Sequence, residues 1–178
     1  HKKQTAGHAG IACFSFALKG NRAGSSHFKI VRFKWWEHVT TYIGDEFSAN
    51  FNFVVLDCGS VRIGDHVLIG PNVTIATPVH PLVAQERNFQ VDETGKRHLY
   101  EYAKPITIGN NVWIASNVVI TGGVTIGDNC VIGAGSVVTK SIPANSLAVG
   151  SPCHVVREIA EKDRMGDPVF EHLYLHNC

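Results

Sequence analysis

Charged residues are scarce in this 178-residue chain, at 17% of the total, and 16 basic side chains stand against 15 acidic ones. Folded domains ordinarily carry about 25% charged residues. The net charge of +1 leaves no basic field that could hold a phosphate backbone, so nucleic acid is not an expected partner. The chain is nevertheless rich in valine and isoleucine, and its length suits a single domain with a hydrophobic core.

Paired cysteines and long apolar runs are also missing. The longest apolar run near the start, Ile11 to Leu18 with Ser15 inside it, is far short of the ~20 residues that cross a membrane. Lys2 and Lys3 precede this run, but no clear small-residue cleavage site follows, so we expect neither a secretory leader nor a membrane contact. The five cysteines are scattered without a C-x-x-C pair, which predicts reduced thiols in a cytoplasmic protein, at Cys13, Cys58, Cys130, Cys153 and Cys178.

Glycine is abundant, with 17 residues, and many of them belong to a six-residue period. In the main block an aliphatic residue recurs at every sixth position, at Ile108, Ile114, Ile120, Ile126, Ile132 and Val138. A small or apolar residue lies two positions before each of them, and Gly, Ala or Thr follows. An upstream block around Ile63, Ile69 and Ile75 has the same pattern, and Ile43-Gly44 begins a less regular version.

The six-residue period predicts short strands joined by corners. It differs from the 3.6-residue period of a helix, and the two aliphatic positions of each unit alternate as in a strand. Three units would close one triangular coil with both aliphatic positions inward, and stacked coils would pair at about 4.8 Å. Glycine after the inward residue fits a corner where a side chain would crowd the next coil. The sequence therefore predicts an all-β solenoid, a parallel β-helix, in which Cys130 is a small buried residue.

Six segments carry a resemblance to a known family: A-N-F-N (49–52), V-R-I-G-D-H-V-L-I-G-P-N-V-T-I (61–75), T-P-V-H-P (77–81), A-K-P-I-T-I-G-N-N-V-W-I (103–114), V-I-G-A-G-S-V-V-T-K (131–140) and V-G-S-P-C-H-V-V-R-E-I (149–159). These segments resemble the hexapeptide-repeat acyltransferases, and within them the maltose and galactoside O-acetyltransferase group, which includes the nodulation-factor acetyltransferases. The resemblance runs from about Ile43 to Ile159. It implies a left-handed β-helix, acetyl-CoA as the acyl donor, no metal, and a homotrimer.

The repeat is interrupted between Ile75 and Ile106 by an excursion that spans Pro81 to Pro105. A loop of this length in a compact fold is usually functional or disordered. His80 lies between two prolines at the start of the excursion, and it matches the catalytic histidine of the family. Acyl transfer to a hydroxyl needs a base, and a neutral imidazole can accept that proton. We therefore predict that His80 is the general base.

The acceptor is expected to lie near Asn50 and Asp57. Asn50 matches the family position that contacts the acceptor beside the catalytic histidine, and Asn52 ranks behind it. Either asparagine could instead belong to a corner ladder, and Asp57 could either orient a sugar hydroxyl or cap a turn. The oxyanion of the tetrahedral intermediate would be stabilised by a backbone amide or by Asn50, and the sequence leaves this choice open.

The donor residues are implied by the resemblance alone. In the family, coenzyme A lies in a groove between neighbouring subunits, and the matching positions are Trp113, Ser116, Ala134, Thr139, Lys140 and Arg157. Lys140 and Arg157 suit phosphates, Ala134 permits a close backbone approach, and Trp113 offers an apolar face to the pantetheine arm. The alternative is that Trp113 covers an exposed coil face and that the two cations are ordinary solvated charges.

Three positions depart from the galactoside acetyltransferases. Cys58 replaces a second carboxylate, Trp36 stands where extension of the match places a serine, and His154 replaces an arginine. The first two changes concern the acceptor pocket and put galactoside specificity in doubt. The third concerns a phosphate contact.

The chain divides into three segments on this interpretation. Residues 1–42 are atypical, although Lys29 to Trp36 is expected to form an irregular first coil that caps the solenoid. Residues 43–154 form the β-helix with the excursion, and residues 155–178 form a short helix, over Val155 to Met165, and a tail.

The leading functional hypothesis is an acetyl-CoA-dependent O-acetyltransferase that transfers acetyl directly to a hydroxyl of a small saccharide. A second hypothesis keeps this chemistry with another acceptor: serine, an antibiotic hydroxyl or a nucleotide-sugar amine. The third is a structural β-helix or a module like the γ-carbonic anhydrases, which needs three histidines around zinc. His66, His80 and His98 are not spaced at coil intervals, which disfavours the zinc hypothesis.

Overall fold

The computed structural model describes residues 40–164 together with the backbone of three short strands at 4–5, 12–13 and 29–32. In chain order the strands are β1 Gln4–Thr5, β2 Ala12–Cys13, β3 Lys29–Arg32, β4 Thr41–Ile43, β5 Ser48–Ala49, β6 Val54–Leu56, β7 Val61–Ile63, β8 Leu68–Ile69, β9 Thr74–Ala76, β10 Pro78–Val79, β11 Gln90–Val91, β12 Arg97–His98, β13 Tyr100–Ala103, β14 Ile106–Ile108, β15 Trp113–Ile114, β16 Val119–Thr121, β17 Thr125–Ile126, β18 Val131–Ile132, β19 Val137–Val138, β20 Ser146–Val149 and β21 His154–Glu158. Within these residues the helical elements are α1, Ala84–Arg87, and a 3-10 turn, Glu161–Asp163.

The coils stack into a prism with three faces. The first face contains β4, β7, β14 and β17, the second contains β5, β8, β15, β18, β20 and β21, and the third contains β2, β3, β6, β9, β16 and β19. The chain passes from the first face to the second and then to the third in each coil. We call the corners the first edge (first to second face), the second edge (second to third face) and the third edge (third to first face).

The strand register confirms the predicted coil of three hexapeptides. Thr107 pairs with Thr125 on the first face, and Val119 pairs with Val137 on the third, each in parallel and eighteen residues apart. The first coils are longer, since Val54 pairs with Thr74. The repeat is therefore regular where the hexapeptides run without a break and irregular where the chain enters the solenoid.

The core is the column of inward aliphatic residues that the period predicts. Both predicted positions of each unit are buried, as Val61 with Ile63 and Val118 with Ile120 show. Cys130 is fully buried at such a position, as expected, and its Sγ lies 3.0 Å from the Pro143 carbonyl oxygen. Because no single coil could bury its own aliphatic face, the stack as a whole stabilises each strand.

Residues with a left-handed backbone, most of them asparagines, turn the chain at the first two edges. At the second edge Asn52, Asn72 and Asn117 all adopt a left-handed backbone, with φ of 58°, 59° and 59°. Asn52 donates to the Asn72 side chain at 2.9 Å, and Asn72 donates to Asn117 at 3.2 Å. The ladder interpretation is thus confirmed for Asn52.

Glycine has a different role at the first edge. A Cβ at Gly64 would lie 2.8 Å from the carbonyl carbon of Gly109 in the next coil, closer than real side chains approach. Glycine is therefore needed there for close stacking of the coils, whereas the turn itself is made two residues later at His66, whose φ is 55°.

The excursion leaves the solenoid at the third edge and forms its own small structure. β10 pairs antiparallel with β13, which brings the two ends of the excursion together, and β1 pairs with the other side of β13. Between them α1 is followed by a hairpin of β11 and β12. Asp92 accepts hydrogen bonds from Thr94 and Lys96 in the hairpin turn and contacts His98, and the Thr94 bonds, with the His98 contact, lower the pKa of Asp92. The excursion is therefore an ordered part of the fold.

The two ends of the solenoid differ from each other. β3 pairs in parallel with β6 and so extends the third face, as expected of an irregular first coil, while residues 33–36 lie outside the described part. The helix predicted over Val155 to Met165 is wrong within residues 155–164, because His154–Glu158 is a strand that pairs antiparallel with β20. The β-branched Val155 and Val156 favour a strand, and the open edge of β20 supplies its hydrogen bonds. Across the described residues, no helix has the length and apolar character that a membrane span needs.

Candidate functional site

The third edge holds four of the nine predicted site residues. Asp57 and Cys58 follow β6, His80 follows β10, and Thr139 and Lys140 follow β19. Since the coils are about 4.8 Å apart, these positions form one line along the prism, from Asp57 at one end to Lys140 at the other.

His80 stands at the point where the excursion leaves the coil. Its side chain is 48% exposed, and the pairing of Pro78 and Val79 with Ala103 and Tyr102 fixes the backbone before it. A base that accepts a proton from a substrate must be reachable and held in place, and His80 satisfies both conditions.

A carboxylate that the sequence reasoning missed faces His80. Glu101 lies on β13, and its Oε1 is 3.8 Å from Nε2 of His80. A general rule could have located it, because an excursion must leave the solenoid and return to it at the same corner. Residues at the end of the excursion, such as Glu101, therefore lie near residues at its start, such as His80. At this distance the carboxylate faces the imidazole without a hydrogen bond between the two groups.

Asp57 is buried and accepts hydrogen bonds from two hydroxyls of the preceding segment. Thr40 Oγ1 and Thr41 Oγ1 each donate to its Oδ2 at 2.7 Å. The following residues are bound to the start of the excursion: the Gly59 amide donates a hydrogen bond to Thr77 Oγ1 at 2.8 Å. The carboxylate therefore contributes to the packing of the third edge, and its predicted contact with an acceptor stays a prediction.

Cys58 lies close to two acidic groups of this edge, Asp57 and Glu101. Burial raises the pKa of its thiol to about 11, and the charges of Glu101 and Asp57 add to the shift. The thiol is accordingly neutral and a poor nucleophile over the physiological range. This neutral group stands where the galactoside acetyltransferases were expected to carry a carboxylate.

The remaining predicted residues lie on the second edge and the second face. Ser116 and Ala134 occupy equivalent positions of two successive coils at the second edge, and Asn50 lies at the same edge one position earlier in its coil, in register with Ala115. Asn50 Oδ1 accepts from the Phe51 amide at 2.8 Å, and its side chain is exposed. Trp113 lies on the second face, 52% exposed, between Leu68 and Val131. A single chain therefore does not bring Asn50 to His80, because they stand on different edges of the prism.

Arg157, the last predicted donor residue, is paired within the chain. Its guanidinium donates to both carboxylate oxygens of Asp163, at 2.7 and 2.8 Å. Hydrogen bonds from Arg157, followed by the Ala160 amide, lower the pKa of Asp163 to about 2, and Asp163 in turn raises the pKa of Arg157. Any phosphate that Arg157 meets must compete with this carboxylate.

The histidines considered for zinc lie apart. His66 stands at the first edge, His80 at the third, and His98 in the hairpin of the excursion. Between residues 40 and 164 no three His, Cys, Asp or Glu side chains gather in an arrangement that could hold a metal ion.

Comparisons with known proteins agree with the repeat. Residues 105–140 match the family model described as bacterial transferase hexapeptide (six repeats), and residues 60–80 match the hexapeptide repeat of succinyl-transferase. The galactoside O-acetyltransferase of Escherichia coli (strain K12) is 53% identical over 123 residues, which are 69% of this chain and 56% of that protein. This chain belongs to the hexapeptide-repeat acyltransferases, in the maltose and galactoside O-acetyltransferase group.

Solved structures of hexapeptide-repeat acyltransferases have the same fold. A maltose O-acetyltransferase from Clostridium difficile 630 is 50% identical with a TM-score of 0.61, over 68% of this chain and 60% of that one. A galactoside acetyltransferase in complex with coenzyme A is 48% identical with a TM-score of 0.63, over 75% of this chain and 66% of that one. The solenoid is thus the left-handed parallel β-helix of these acyltransferases. The chain spans about half the length of the curated relatives that it matches.

Two of the three positions that depart from the galactoside acetyltransferases can be located in the structure. Cys58 lies in the third edge beside Glu101, and Trp36 lies outside the described residues. His154 begins β21 and is exposed, with Nδ1 3.4 Å from the Pro152 carbonyl oxygen. Of the two departures within residues 40–164, Cys58 is therefore the one that lies at the third edge, where His80 stands.

Proposed function

We propose that this protein is an O-acetyltransferase that moves an acetyl group from acetyl-CoA to a hydroxyl of a small saccharide. The observation that carries the proposal is the pair of His80 and Glu101 at the third edge. An exposed imidazole is held there by strand pairing and faced by a carboxylate at 3.8 Å. The saccharide acceptor is carried over from the relatives, and serine, antibiotic and nucleotide-sugar acceptors would use the same chemistry.

In the proposed reaction His80 takes the proton of the acceptor hydroxyl as the oxygen attacks the thioester carbonyl. The new C–O bond forms a tetrahedral intermediate, which collapses as the C–S bond breaks and the thiolate of CoA leaves. The imidazolium then returns its proton to that thiolate, so that the products are the acetyl ester and CoA. Glu101 stabilises the imidazolium between these two steps, and general-base catalysis of this kind contributes roughly 10²- to 10⁴-fold.

The positions of the predicted residues support a site shared between copies of the chain. Asn50, Ser116, Ala134 and Trp113 lie on the second edge and second face, whereas His80, Thr139 and Lys140 lie on the third edge. We propose that the second edge of one subunit meets the third edge of another in a homotrimer, so that coenzyme A is bound between them. Asn50 and Asp57 would then contact the acceptor, and Arg157 would contact a phosphate after leaving Asp163.

A cytoplasmic location fits the state of the described cysteines. Cys58, Cys130 and Cys153 are free and buried, and burial raises the pKa of each thiol. Reduced thiols of this kind persist in the cytoplasm, where acetyl-CoA is also available.

The proposal is tested by acetyl-CoA turnover with a panel of saccharides, measured as release of the free CoA thiol. We expect His80→Ala to lower kcat by at least about 100-fold. The matched control is His66→Asn, since asparagine also adopts the left-handed backbone that His66 requires at the first edge. Equal turnover by the His80→Ala variant and the unmodified protein would refute the role of His80.

A further inference from the structure

One exposed cation of the third edge has no role in the catalytic scheme above. Lys104 is the second-last residue of the excursion, and its amide donates to the Thr77 carbonyl oxygen at 3.0 Å. Its side chain is exposed, and within residues 40–164 no carboxylate forms an ion pair with it. The backbone of Lys104 is thus fixed against Thr77, which precedes His80 by three residues in sequence. Its ammonium is free to meet an anion.

The path of the Lys104 side chain is set by two glycines. A Cβ on Gly122 would lie 3.2 Å from Cβ of Lys104, and a Cβ on Gly123 would lie 3.2 Å from its Cδ. Gly123 also has a φ of 92° and donates its amide to the Pro105 carbonyl oxygen at 3.0 Å. The stem of Lys104 therefore lies across the glycine corner of the next coil, and a side chain at that corner would displace it.

The next coil carries Lys140 at the same edge. Val119 and Ile120 pair with Val137 and Val138, so Thr139 and Lys140 follow in the coil beyond Gly122. Lys140 stands about 10 Å along the prism from the Thr77 level, since each coil adds about 4.8 Å. The stem of Lys104 covers the coil between these two levels.

Acidic and basic side chains occupy different parts of the third edge. The acidic groups Asp57 and Glu101 lie at the end that holds His80, and the cations Lys104 and Lys140 lie beyond it in the direction of the later coils. An acyl donor with its thioester at His80 and its phosphates further along the edge would match this order. The two ammonium groups of Lys104 and Lys140 lie along the same edge, and such a pair suits a diphosphate, whose negative charge is spread over several oxygens.

We propose that Lys104 binds the phosphate groups of the acyl donor, together with Lys140, and that Gly122 and Gly123 keep its stem flat against the solenoid. This inference rests on the proposed function, because it takes coenzyme A as the donor. It adds a donor-binding residue from the end of the excursion, a segment outside the hexapeptide repeat.

The test measures CoA binding by calorimetry and donor KM in turnover assays, for Lys104→Ala, Lys104→Arg and a control, Lys96→Ala. Lys96 is an exposed lysine of the hairpin turn, away from the third edge. Two donors are compared: acetyl-CoA, and acetyl-pantetheine, which has the same thioester and arm without the phosphates. We expect Lys104→Ala to weaken CoA binding and raise the KM for acetyl-CoA about 5- to 20-fold, with the KM for acetyl-pantetheine unchanged. Lys104→Arg should retain most of the affinity, and Lys96→Ala should equal the unmodified protein.

The outcomes separate this inference from the proposed function. Weaker CoA binding by Lys104→Ala in a protein that acetylates no saccharide would support the phosphate contact and contradict the saccharide acceptor. Unchanged CoA binding in an active enzyme would overturn the role of Lys104 alone. An equal rise of KM for both donors would also overturn it, because the effect would then not depend on phosphate. An unmodified protein that binds no CoA would overturn both.

Discussion

Oε1 of Glu101 lies 3.8 Å from Nε2 of His80, although 21 residues separate the two in sequence. The pairing of β10 with β13 creates this contact, since it returns the end of the excursion to the strand from which the excursion departs. The interruption of the repeat therefore supplies both the candidate base and the carboxylate that faces it.

Glu101→Gln should lower kcat about 10- to 100-fold and change the KM for either substrate less than about twofold. The amide keeps the size of the side chain but removes the charge that stabilises the imidazolium in the transition state. Steady-state kinetics give both constants, and Glu93→Gln in the hairpin turn is the matched control. A rise of KM with kcat unchanged would instead indicate that Glu101 binds substrate.

The fold could be predicted from the sequence because its signal repeats. A six-residue period places an aliphatic residue such as Ile120 inward on each face of every coil, and the signal recurs over many units. Glu101 and Lys104 could not be predicted in this way, since they lie in a segment without a period and act only through strand pairing. The helix over Val155 to Met165 was wrong for a related reason: the open edge of β20, a tertiary feature, decided the structure of that segment.

Substitutions of Asn72 should separate two contributions to the stability of the second edge: the left-handed backbone and the hydrogen bonds of the asparagine ladder. Asn72→Ala is expected to lower the free energy of unfolding by about 1–2 kcal/mol, because alanine resists the φ of 59° and loses the bonds to Asn52 and Asn117. Asn72→Gly loses the same bonds but adopts the backbone freely, so it should cost less. Urea unfolding measures both variants, and an equal loss would show that the ladder bonds dominate.

Cys58 should react slowly with iodoacetamide in the folded protein. Its pKa of about 11, raised mainly by burial, lowers the thiolate fraction about 100-fold at pH 8 relative to an ordinary thiol near 9.0. Peptide mapping by mass spectrometry after timed alkylation gives the rate, with the urea-unfolded protein as the reference. Alkylation of folded Cys58 at the reference rate would mean that the third edge is open around the thiol.

The ion pair of Arg157 and Asp163 should persist until strongly acid pH and hold the turn that follows β21. Because the pKa of Asp163 is lowered from 3.8 to about 2, its contribution to stability is present above 3.8 and is lost as the pH falls toward 2. The Ala160 amide donates to Asp163 Oδ2 at 2.8 Å, so its NMR shift should titrate with a midpoint near 2. Asp163→Asn removes the titrating group and should give an Ala160 shift that does not change over this range. A midpoint near 3.8 in the unmodified protein would show that the pair does not form in solution, and Arg157 would then be free to bind a phosphate without first leaving Asp163.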